Sequence, residues 1–89
     1  MKWIFKNGST VADCTSFPYA FRTMWNTVRK GVENGRNQND VTRQMWIISP
    51  IKDRNGDEKK YSYAEAIEMA RNQGLLSLDG QINSREFRR

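Results

Sequence analysis

Lys2-Trp3-Ile4-Phe5-Lys6-Asn7-Gly8-Ser9-Thr10-Val11-Ala12-Asp13 is the stretch that decides the fold. Trp3 and Phe5 fall on one side of an extended chain and Lys2, Ile4 and Lys6 on the other, the two-residue period of a β-strand. Asn7-Gly8 accepts the positive φ of a tight primed turn, and Ser9 to Asp13 reads as the returning strand. The pattern recurs downstream. Met45-Trp46-Ile47-Ile48-Ser49-Pro50-Ile51 and Lys59-Lys60-Tyr61-Ser62 flank a second Asn-Gly pair, Asn55-Gly56, in a longer loop. In the first of these strands Met45, Ile47 and Ile51 are expected on one side, Trp46 and Ile48 on the other. Pro50 cannot donate to a ladder, which predicts an edge or a bulge there.

Between the hairpins the period changes. Phe17, Phe21, Met24, Val28 and Val32 make one apolar stripe at helical spacing, with Ala20 and Trp25 beside it. Thr15 or Ser16 is the expected N-cap, Pro18 fits the first turn, and Gly35 supplies the stop. Arg22, Asn26, Arg29, Lys30 and Glu33 occupy the opposite side. After the second hairpin, Ser62-Tyr63-Ala64-Glu65 is a capping box that opens another helix. Its inner side is Tyr63, Ala66, Ile67 and Ala70, with Met69 at the border and Gly74 as terminator. A turn at Asp79-Gly80 and a helical turn over Ser84 to Arg88 complete the reading. The expected fold is α+β: two hairpins forming a small antiparallel sheet in β-β-α-β-β-α order, with two helices packed on one face. One domain is expected over residues 1–89, with 78–89 as a loosely packed tail.

Composition narrows the chemistry. The 89 residues include 15 Lys and Arg, 10 Asp and Glu, one Cys and no His, giving a net charge of +5 and a pI near 9.7. Without histidine there is no Ser-His-Asp triad, no Cys-His pair and no imidazole ligand for a metal. A single cysteine makes no intrachain disulfide, so a reducing, cytoplasmic setting is expected. No apolar run approaches the roughly 18 residues of a membrane span, and three apolar residues after Lys2 are too few for a signal peptide. Three Trp, three Tyr and four Phe argue for a folded, aromatic core.

Three constellations invite a chemical reading and fail it. Asp79-Gly80-Gln81-Ile82-Asn83-Ser84-Arg85-Glu86-Phe87 resembles the second half of an EF-hand calcium loop, Glu86 standing at the closing carboxylate. Leu75 stands where the leading carboxylate belongs and Ser77 is a weak substitute further on, so no calcium site is expected. Asp53, Asp57 and Glu58 cluster in the second hairpin loop, but Asp favours turns, and Lys52, Arg54, Lys59 and Lys60 surround them. Cys14 sits beside a helix N-terminus, yet it has no base to activate it and no second thiol to resolve it. No catalytic residue, no metal and no cofactor is expected, and the chain reads as a binding protein, not an enzyme.

The basic residues point to a partner. Residues 1–45 hold seven basic and three acidic side chains, and residues 46–89 hold eight and seven, so most of the excess lies in the first half. Arg22, Arg29, Lys30, Arg36, Arg43, Lys2 and Lys6 are the candidate nucleic-acid contacts, with the exposed side of the first helix at their centre. Arg85, Arg88 and Arg89 add a short basic tail. The alternative is a protein-interaction adaptor or a self-associating, homodimeric accessory protein of viral or mobile-element type. It would use an aromatic sheet face of Trp46 and Tyr61 or Ile4, rimmed by Lys2, Lys6 and Lys60, a patch that suits stacked bases as well as a protein partner. Trp46 itself is read first as a core residue, following the usual partition of tryptophan.

Overall fold

The computed structural model describes residues 2–76. The chain runs β1 (Trp3–Asn7), β2 (Thr10–Cys14), α1 (Phe17–Glu33), α2 (Gln38–Thr42), β3 (Met45–Lys52), β4 (Glu58–Tyr61) and α3 (Tyr63–Asn72). This is the expected α+β fold with one helix more. The strands form a single antiparallel sheet in the order β2-β1-β3-β4. β2 and β3 flank β1 and run parallel to each other, so the connection between them has to cross the sheet, and α1 with α2 is that crossover. The turn at 79–80, the helical turn over 84–88 and the basic tail lie outside the described residues.

The first turn differs in register from its sequence reading. Asn7 pairs with Thr10, so the two loop residues are Gly8 and Ser9. Gly8 has φ 61° and no non-glycine residue in the described chain has a positive φ, which gives the pattern of a type II′ turn. A Cβ on Gly8 would also stand 2.7 Å from Gln44 Oε1. Pro50 lies in a central strand, and the bulge makes this possible. The β3–β4 register shifts between Ile48 and Lys52, and the Ser49 hydroxyl accepts from the Ile51 N–H at 3.0 Å. The same shift corrects Ile51, expected beside Met45 and Ile47 but 57% exposed.

All three helices contribute to one apolar cluster. Phe17, Ala20, Phe21, Met24 and Val28 of α1 pack with Phe5, Met45 and Ile47 from the sheet and with Ala66 and Ala70 of α3. Val32, assigned to the stripe by spacing, is 40% exposed. The inward position in that last turn is Gly31, where an added Cβ would lie 3.0 Å from a Val41 methyl. Val41 belongs to α2, the helix missing from the sequence reading, which Asn37 caps by accepting from Asn39 N–H at 2.9 Å. Ser16 occupies the N-cap of α1, but its side chain makes no capping bond. The capping box of α3 is present in both directions, Ser62 Oγ accepting from Glu65 N at 3.3 Å and Glu65 Oε1 from Ser62 N at 3.1 Å. No helix among the described residues is long and apolar enough to cross a membrane.

Candidate functional site

Strand register sorts the side chains of the sheet into two faces. Phe5 lies opposite Ala12 and Ile47, and Ile47 lies opposite Tyr61; these residues meet the helices. One residue along, Lys6 lies opposite Val11 and Trp46, and Ile4 opposite Asp13 and Ile48; Ile48 in turn faces Lys60. No described helix packs on this second face. It carries a floor of Ile4, Ile48, Trp46 and Val11, crossed by lysines on β1 and β4. Trp46 is 39% exposed, so the expectation that it is core is corrected: its position in β3 is out of phase with Met45 and Ile47, which the helices cover.

Tyr61 is corrected in the opposite sense. It sits on the covered face, stacked on Trp3 with ring centroids 6.4 Å apart, while Trp3 meets Phe17 edge-on at 5.5 Å. Trp46 and Tyr61 therefore do not share a surface. Trp46 shares one with Ile4, Lys6 and Lys60 instead. Lys6, Trp46, Ile48 and Lys60 line a depression of about 330 Å³. A wider depression of about 540 Å³ lies toward the β3–β4 loop, lined by Lys52, Gly56, Asp57, Glu58 and Lys60. Its charges are mixed, and Lys52 is paired with Glu58 at 3.8 Å. The Asp53 carboxylate shapes this loop, accepting from the N–H groups of Asn55 and Asp57 at 2.9 Å each. Cys14 is half-buried opposite Trp3 on the covered face.

The seven basic candidates divide between opposite layers of the molecule. Arg22, Arg29 and Lys30 are exposed on the outer side of α1, and Arg36 follows in the exit loop. Arg43, at the end of α2, is bound to Asp40 at 3.1 Å. Lys6 belongs to β1, and Lys2, just before it, is paired with Asp13 of β2 at 3.5 Å. These pairs are solvated and individually weak, but each places a carboxylate where a phosphate would have to compete. Arg29, Lys30, Arg36, Lys6 and Lys60 have no ion pair with any described residue. Arg29 also acts inside the fold. Burial pushes the Tyr63 phenol above its usual range, and the nearby guanidinium of Arg29 pulls it partly back.

Lys60, named in the sequence reading as one of several rim lysines, proves to be a wall of the smaller depression, and Ile48 is part of its floor. Alternation put Ile48 on the side of Trp46, but no local signal says which β4 residue stands opposite Ile48. The chain matches no protein-family model, no curated protein and no solved structure.

Proposed function

We propose that the protein is a small non-enzymatic binding module that takes nucleic acid through the basic outer side of α1. One observation carries this reading: Arg29, Lys30 and Arg36 stand exposed in succession with no carboxylate partner among the described residues. Glu33 is the one acidic residue between positions 15 and 36. Arg22 extends the row, about 10 Å from Arg29 along the helix axis at 1.5 Å per residue. A row of that length reaches several phosphates of a duplex, which carries one charge per roughly 1.7 Å of axis. Guanidinium groups suit this role because their forked donors match phosphate oxygens. A sequence without histidine and without a cofactor fingerprint favours binding over catalysis.

Titration of a labelled 20-base-pair duplex across a range of salt concentrations tests the reading. With three to four phosphate contacts, log K falls against log salt with a slope near −3. Replacing Arg29→Gln and Lys30→Gln together makes the slope shallower by about 2, with the urea midpoint little changed because both side chains are exposed. A slope that is flat in the wild type, or identical in the double variant, removes α1 as the contact surface.

A further inference from the structure

The open face of the sheet holds a second arrangement, on the opposite layer from α1. Trp46 and Ile48, two residues apart on β3, form an apolar floor. Lys6 borders it from β1, directly opposite Trp46, and Lys60 borders it from β4, directly opposite Ile48. Neither lysine pairs with a described carboxylate, whereas the outlying Lys2 and Lys52 pair with Asp13 and Glu58. The depression these four residues line, about 330 Å³, is at the lower end of volumes that hold a small planar ligand.

We infer that this depression takes a base of single-stranded nucleic acid, stacked on Trp46, with the flanking phosphates on Lys6 and Lys60. Charge decides the occupant. A second copy seated with this depression on its own would bring Lys6 and Lys60 toward these, like charge on like, while the nearby carboxylates Asp13 and Glu58 are already held by Lys2 and Lys52. An anion satisfies the lysines but leaves the exposed indole unused. A nucleotide satisfies both, since every base has a π-face and every linkage a phosphate. The strand must be single, because a duplex keeps its bases stacked inside and offers a flat sheet only its backbone.

The test uses the full chain, a labelled 12-residue oligothymidine and a blunt duplex of the same length. Trp46→Ala is expected to weaken oligothymidine binding roughly 5- to 150-fold and to leave duplex binding unchanged, while Trp46→Phe retains most of the affinity. Lys6→Gln with Lys60→Gln lowers the single-strand salt slope by about 1.4. Wild-type circular dichroism and a cooperative urea transition completed well above the assay conditions separate these losses from unfolding. Single-strand affinity that survives Trp46→Ala and falls with Arg29→Gln and Lys30→Gln overturns the sheet site and leaves the α1 reading standing. Affinity that falls with Trp46→Ala but is indifferent to the α1 variants supports the sheet site alone. A dimer in sedimentation that Trp46→Ala dissociates overturns the inference, because a second copy then owns the face.

Discussion

The two faces of the sheet come from the same strands, and adjacent residues have opposite fates. Phe5 and Ile47 are 4% and 0% exposed, while their chain neighbours Lys6 and Trp46 face solvent. Apolar character does not separate the faces. The covered side includes Ser49 and the small Ala12, and the open side includes Trp46, Ile4 and Ile48. Parity along the strand and the position of the helix layer make the difference. A large aromatic that the described residues leave open is held in place by the ladder without being needed by the core, a favourable condition for contact with something else.

A paired substitution gives the strongest test of that contrast. Ile47→Ala removes a fully buried side chain beneath the helices and is expected to cost about 2–5 kcal/mol in urea denaturation. Trp46→Ala deletes a larger side chain one residue away and is expected to cost about 1 kcal/mol or less. Comparable losses would mean that Trp46 is structural and the faces are not distinct.

A smaller effect separates the cover from the open face. Ser62→Ala removes the side-chain half of the α3 capping box, at a cost of about 1 kcal/mol. α3 lies on the covered side, so the urea midpoint falls while oligothymidine affinity stays at the wild-type value. A parallel loss of affinity would show that the open face depends on how firmly the helices sit.

Local patterns made most of this architecture legible. Both hairpins, most of the α1 stripe and the Ser62 capping box depend on residues within a few positions of one another and are present, with the first turn one residue further on and Val32 outside the stripe. What failed depended on distant partners. α2 has five residues and one buried side chain, Val41, too little for a period; its inward contact is visible only once Gly31 is known to lie beside it. Tyr61 lies on the covered face because the irregularity between Ile48 and Lys52 and the loop after it set its register against β3, which no local pattern shows. Of the candidate surface, the lysines and Trp46 could be named from sequence, but the division of the basic residues between two layers required the strand pairing.

The smallest effect probes the cover from its outer edge, where α1 and α3 meet. Burial favours the neutral Tyr63 phenol, so its pKa in the fold lies above the ordinary 10.0 even though Arg29 opposes the shift. Below about pH 10 the phenol is protonated in both folded and unfolded chains, and the stabilisation is fully present. As the pH rises from there through the folded value, the unfolded chain ionises first and stability is lost. Wild-type protein is therefore expected to lose stability more steeply than Tyr63→Phe as the pH rises above about 10. Arg29→Gln removes the opposing charge, raises the folded pKa further and steepens the same loss. If all three proteins trace one curve in urea midpoint against pH, the phenol is as solvated in the fold as out of it, and the helix layer is looser at this edge than the burial of Ala66 and Ala70 indicates.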